Sequence, residues 1–168
     1  MGKHRRILQI VGYQNSGKTT LIEKLIRRLS ESGLETGVIK HHGHGGEPEI
    51  GTPSKDSTRT FKAGAAVSGV EGDGVLQLAA RVSEWNLEKW LEFYAFFSVD
   101  VLLVEGYKKE DYPKVVLVRS AEDWEELRNL SNIQCVISME AQIVDGGIPV
   151  YTREQEAEYM EYLMESLL

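Results

Sequence analysis

With 168 residues, 42% of them hydrophobic, the chain can bury a substantial core, and its length favours a single domain over residues 1–168. A formal net charge of −7 argues against a protein that coats nucleic acid, because most of that affinity comes from neutralising backbone phosphates. The one cysteine, Cys135, cannot form an internal disulfide, and its place in the apolar run "IQCVIS" marks it as a small buried hydrophobe.

The start, "MGKHRRILQIVG", is basic, but its apolar run is short and contains Gln9, so neither a signal peptide nor a membrane span fits and a cytoplasmic protein is expected. "RILQIV" reads as a buried parallel strand that stops at Gly12. From Lys18 to about Ser32 the residues Leu21, Ile22, Leu25, Ile26 and Leu29 recur at helical spacing, and Gly33 is a natural terminator. "TGVIKHH" reads as a second strand, followed by the long loop "GHGGEPEIGTPSKDS", whose glycines and prolines exclude regular structure. "TRTFKAGA" predicts a short helix, and "AVSGVEGDGVLQLA" a β-hairpin turning at Gly-Asp-Gly. Leu87, Trp90, Leu91, Tyr94 and Ala95 give one apolar face to a helix that leads into "VDVLLVEG", a strand covered on both faces. Then come a strand "KVVLV", a helix capped by Ser120 with Asp123 three residues on, strands "IQCVIS" and "IPVY", and a last helix capped by Thr152 with Gln155. Strands alternating with helices predict an α/β fold, a mainly parallel sheet wrapped by helices with the hairpin as an insertion.

Gly12, Gly17, Lys18 and Thr19 match G-x-x-x-x-G-K-[ST] between a predicted strand and a predicted helix, the context that a phosphate loop requires. Glycines let the backbone curl until its N–H groups face phosphate oxygens, and the helix dipole adds positive charge at the same place. Lys18 adds a full charge, and the Thr19 hydroxyl suits a Mg²⁺ that bridges terminal phosphates. Glu105, at the carboxyl end of a buried strand, is the candidate acid near that metal, with Gly106 leaving room for a close approach. His41, His42 and His44 invite a transition-metal reading, but a strand puts His41 and His42 on opposite faces; the alternative is that Lys40, His41 and His44 line the crevice as donors to anions. In "SKDSTR", Lys55 and Arg59 suit negative charge, while Asp56 and Ser57 suit either Mg²⁺ or helix capping.

"GYQNSGKTTL", "VIKHHGH", "SKDSTRTFKAGA" and "LLVEGYK", in this order, resemble the MobB family of P-loop GTP-binding proteins, adaptors of molybdopterin-guanine dinucleotide biosynthesis, and the resemblance spans nearly the whole chain. The resemblance implies a P-loop nucleoside triphosphate hydrolase fold and a homodimer that binds GTP and Mg²⁺ and hydrolyses GTP weakly. It implies a partner, the molybdenum cofactor guanylyltransferase that joins GMP to molybdopterin, and leaves open whether molybdopterin also binds this chain. By motif, Gly12, Tyr13, Gln14, Asn15, Ser16, Gly17, Lys18, Thr19 and Thr20 would hold the phosphates; Thr19 and Glu105 would serve Mg²⁺; Lys40, His41, Lys55, Asp56 and Ser57 would border the site. Lys18, Glu105 and Asp56 are the candidates for a catalytic role. The sequence departs from the family pattern at Ser54, where Gly is expected, and at Gly51, where Asp is expected. A nickel-delivery GTPase and a small-molecule kinase with Asp56 as base are the alternative readings. The Asn-Lys-x-Asp guanine-reading motif is missing, and Ser138 and Glu140 stand where a substitute would be.

Overall fold

The computed structural model describes residues 6–41, 55–140 and 147–168. These form two compact units, residues 1–43 with 87–168, and residues 44–86. The first unit holds β1 (Arg6–Gly12), α1 (Lys18–Glu31), β2 (Thr36–Lys40), α3 (Leu87–Tyr94), β5 (Val101–Glu105), β6 (Lys114–Val118), α4 (Ala121–Leu127), β7 (Ile133–Ser138), β8 (Val150–Thr152) and α5 (Glu156–Leu167). The second holds α2 (Lys55–Lys62), β3 (Val67–Gly72) and β4 (Val75–Ala80).

The six strands of the first unit pair in parallel in the order β2-β5-β1-β6-β7-β8. Every position of β5 and β6 is buried, as the continuous apolar runs require when helices cover both faces. On one face Leu25 and Leu29 of α1 and Tyr159, Met160 and Leu163 of α5 pack on Leu8, Ile10, Leu103 and Val115. On the other, Trp124 and Leu127 of α4 cover Val11, Val116 and Val136, while Leu87 of α3 lies with Ile39, Leu102 and Val104. Each Val or Leu so buried stabilises the fold by about 1.5–3 kcal/mol relative to exposure. Because β2 and β5 lie on one side of β1 and β6 to β8 on the other, the sheet reverses its order at β1, which puts the ligand crevice of such sheets at the carboxyl end of that strand.

The mainly parallel α/β sheet and the inserted hairpin agree with the sequence, and the differences lie at element ends. β2 stops at Lys40, although the His41 N–H still donates to the Glu105 carbonyl at 2.9 Å. The short helix of the second unit begins at Lys55 and ends at Lys62, ahead of the "AGA" included in the prediction. Ser120 caps α4 by accepting from the Asp123 N–H, as its spacing indicates. Thr152, by contrast, is not the N-cap of α5: the Gln155 side chain reaches back to the Thr152 N–H at 2.9 Å, but the helix starts only at Glu156. Of the predicted loop "GHGGEPEIGTPSKDS", Lys55, Asp56 and Ser57 are the first turn of α2 rather than irregular, and the part up to Ser54, with His44 and Gly51, lies outside the described residues, as does His42.

Two buried polar side chains brace the sheet. Gln9, within β1 and inaccessible, donates to the carbonyls of Gly106 and Tyr107 at 3.2 and 2.8 Å, fixing the turn that follows β5. Lys114, equally buried, donates through its ammonium to the carbonyls of Glu110, Tyr112 and Ser131 at 2.8, 3.0 and 2.6 Å, satisfying all three of its hydrogens. In the second unit β3 and β4 form an antiparallel pair with Asp73 and Gly74 in the turn, both at positive φ. There the Arg81 guanidinium stacks over the buried Phe61 ring at 3.7 Å, and Val67, Val75, Leu76 and Leu78 are exposed. Among the described residues no helix is long and apolar enough to cross a membrane.

Candidate functional site

The loop from Gly12 to Gly17 joins the end of β1 to the start of α1. Three of its carbonyls are held by cationic side chains: Tyr13 O by Lys18 Nζ at 2.7 Å, Gln14 O by Arg119 Nη1 at 3.3 Å, and Ser16 O by Arg153 Nη2 at 2.7 Å. Two glycines are required by close approach. A Cβ at Gly12 would lie 2.5 Å from the Leu117 carbonyl oxygen and 2.6 Å from Ser16 Oγ. At Gly17, where φ is +94°, it would lie 2.7 Å from Arg153 Nη2. Asn15 also takes positive φ, 61°, a conformation its short polar side chain tolerates.

Tyr13 ties the loop to α4. Its hydroxyl hydrogen-bonds the Glu126 carboxylate, an interaction that, with burial, pushes the phenol above its ordinary pKa. Lys108 Nζ stands 4.2 Å from the centre of the Tyr13 ring and Arg119 Cζ 5.7 Å. Arg119 is itself clamped by both oxygens of Asp123, at 2.7 and 2.9 Å, and this pairing holds the Asp123 carboxyl below the usual carboxylate range.

Glu105 closes the other side. It pairs in register with Ile10 of β1 and with Lys40 of β2, so it ends β5 beside the phosphate loop. The carboxylate is about nine-tenths buried, and Lys40 Nζ lies 3.5 Å from its Oε2. The space beside Gly106, expected to admit a ligand, is taken by His41, whose Cβ lies 3.1 Å from where a Gly106 Cβ would stand; the His41 ring faces Tyr107 at 4.5 Å. Thr19 and Thr20 are exposed on the first turn of α1. Burial lowers the Lys18 pKa, an effect opposed by Glu105 and reinforced by Lys40, Lys108 and Arg119.

The residues brought together around the loop are therefore Gly12 to Thr20, Lys40, His41 and Glu105. Lys55, Asp56 and Ser57 open α2 of the second unit, where Thr60 Oγ1 and Ser68 Oγ both donate to the Ser57 carbonyl. Ser138 is buried and accepts from the Glu140 N–H at 2.9 Å, a compact turn at the end of β7. Among the described residues no group of three or more His, Cys, Asp or Glu side chains could hold a metal ion. Arg119, Arg153 and Lys108 were missed as contributors, because single polar residues far from the loop in sequence carry no local pattern, and Gln9, three residues before the loop, because its partners lie beyond β5.

The arrangement fits a polyphosphate with a divalent cation. At Gly12 and Gly17 the loop has no Cβ to obstruct it, Lys18, Lys108, Arg119 and Arg153 contact it, and the Ser16 hydroxyl is buried without a hydrogen-bond partner among the described residues. A carboxylate and a threonine hydroxyl are oxygen donors of the kind Mg²⁺ takes.

Comparison with known proteins gives one family. The family model "MobB: Molybdopterin guanine dinucleotide synthesis protein B" matches residues 7–139. A probable molybdopterin-guanine dinucleotide biosynthesis adapter protein of Bacillus subtilis (strain 168) is 47% identical over 146 residues, 86% of this chain and 84% of the relative. The molybdopterin-guanine dinucleotide biosynthesis adapter protein of Escherichia coli (strain K12) is 36% identical over 119 residues, 67% of this chain and 65% of the relative. The crystal structure of Bacillus subtilis MobB superposes with a TM-score of 0.86 at 43% identity, covering 97% of this chain and 98% of that one. A MobB homologue from Bacillus stearothermophilus gives a TM-score of 0.79 at 40% identity, covering 96% and 97%.

Proposed function

The chain belongs to the MobB family, the adaptors of molybdopterin guanine dinucleotide biosynthesis, and from this premise we propose that it serves as a GTP-binding adaptor with weak Mg²⁺-dependent GTPase activity. The observation that supports this reading best is the phosphate loop itself, opening α1 at the strand where the sheet order reverses, with Glu105 in register beside it. Gly12 to Thr20 hold the phosphates, with Lys18 against the terminal ones. Thr19 and Glu105 would hold Mg²⁺, whose chemistry there would be to neutralise phosphate charge. Lys40 and His41 border this site, and the family motif alone suggests that Lys55, Asp56 and Ser57, at the start of α2, also serve the nucleotide, Asp56 as a further acid.

Slow hydrolysis follows from the state of the nearby arginines. Arg119 is committed to Asp123 and Arg153 to the Ser16 carbonyl, and a fast GTPase owes much of its rate to an arginine free to meet transition-state charge. The protein thus acts more through binding than through turnover. As a cytoplasmic homodimer, it presents GTP to the guanylyltransferase that joins GMP to molybdopterin.

Three results are expected. Calorimetric titration with Mg²⁺ present should show GTP bound at least about ten times more tightly than ATP, a margin of about 1.4 kcal/mol that one or two contacts to the base supply. In a reconstituted transfer of GMP to molybdopterin at limiting GTP, the protein should raise the partner's yield; equal nucleotide affinities together with no stimulation would remove the proposal. Glu105→Gln should lower Mg²⁺-dependent hydrolysis and leave the nucleotide-free unfolding midpoint nearly unchanged, since it removes ligand charge without emptying the core. A wild-type rate with wild-type Mg²⁺ dependence would return Glu105 to a purely structural partner of Lys40.

A further inference from the structure

Arg153 lies in the turn between β8 and α5, 137 positions from Ser16, yet donates to its carbonyl at 2.7 Å. The turn that carries it is itself fixed. The Arg153 N–H donates to the Ser138 carbonyl at 3.1 Å, the Gln155 N–H to the Thr152 carbonyl at 3.2 Å, and the Gln155 side chain accepts from the Thr152 N–H. The guanidinium also forms one wall of a cavity of about 130 Å³ beside Gly17, Thr20, Lys24 and Glu156. There the Glu156 carboxylate is taken by Lys24 Nζ, at 2.6 Å.

A trans peptide is planar, and its C=O and N–H point in opposite directions. The group that holds Ser16 O therefore turns the Gly17 N–H the other way, away from Arg153. Gly17 can follow because it has no Cβ, which would meet the guanidinium, and because its φ of +94° is open to glycine. We propose that Arg153 is a positioning residue for nucleotide binding, aiming the Gly17 N–H at the phosphates by holding the Ser16 carbonyl and adding its own charge behind the loop. This rests on the nucleotide-binding reading above. It also makes the β8–α5 turn responsive to the nucleotide, since the loop and the turn share the one guanidinium.

The test uses R153M, which keeps the apolar stem and removes every donor, and R153K, which restores one cationic donor. GTP and GDP affinities are read by calorimetry, and the bound β-phosphate by its ³¹P resonance. R153M should bind both nucleotides about tenfold more weakly and shift that resonance, and R153K should recover most of the affinity and move the resonance back. R153Q replaces R153M if the latter does not fold. Wild-type affinity in R153M, or weaker binding with the phosphate resonance unmoved, would show Arg153 to be only a tether for α5. A wild-type protein that binds neither nucleotide overturns the nucleotide reading and this inference together, whereas binding matched by R153M overturns this inference alone.

Discussion

Lys18→Ala is expected to weaken GTP binding by roughly 10- to 100-fold, the loss of a charge-assisted hydrogen bond of about 1.5–3 kcal/mol. The Lys18 ammonium is partly desolvated and rests on the Tyr13 carbonyl, with Lys40, Lys108 and Arg119 adding repulsion and, among the described residues, Glu105 adding attraction. Its charge is thus held at a cost that an arriving phosphate relieves. Removing it takes away attraction for the ligand and one hydrogen bond to the Tyr13 carbonyl, a loss that relief of the desolvation and repulsion offsets. The nucleotide-free unfolding midpoint should therefore stay where it is or rise slightly, while the extra stability conferred by saturating GTP shrinks. Calorimetric titration and thermal unfolding with and without GTP check both halves. Wild-type affinity in the variant would take the phosphate loop out of the proposed function.

The loop was legible in the sequence because its chemistry is local: the glycines, Lys18 and Thr19 sit within eight residues between an apolar strand and a periodic helix. The central strands were legible for a similar reason, since burial on both faces leaves unbroken runs such as "VLLVE". What escaped were residues whose partners are distant. Gln9 looked like an interruption of an apolar run, yet it is buried because the turn after β5, some 97 residues on, supplies its carbonyls. Lys114 opens the predicted strand "KVVLV", and the three carbonyls that bury it come from two separate turns. Arg153 belongs to a short turn with no motif, and only the fold brings it to Ser16. The cap at Thr152 was misplaced because the same Thr and Gln spacing that closes a capping box also closes the turn that precedes α5.

Gly12→Ala should be the more damaging change to the protein as a whole, lowering stability by about 3 kcal/mol and GTP affinity by at least about tenfold. The added Cβ would meet the Leu117 carbonyl at 2.5 Å, and Leu117 is the register partner of Gly12 across the β1–β6 pair. Backbone would thus press on backbone between two central strands, where no side chain can swing aside. On its other flank the same Cβ meets the buried Ser16 Oγ at 2.6 Å, so relief by moving the loop instead of the strand disturbs the phosphate cradle. For a chain of this length a loss of about 3 kcal/mol lowers the unfolding midpoint by roughly 6–12 °C. Gly17→Ala is the informative comparison, because its Cβ would meet only the far end of Arg153, a long side chain able to withdraw. It should therefore cost less stability than Gly12→Ala while still weakening GTP binding, through the strain of +94° and the loss of the Arg153 contact. Thermal unfolding and GTP titration of the two variants together separate a loop that fails because the sheet beneath it is pushed apart from one that fails because its own peptides are turned. Equal stabilities in the two, or a Gly12→Ala protein that binds GTP as the wild type does, would mean that the close approach of β1 to β6 does not set the shape of the loop.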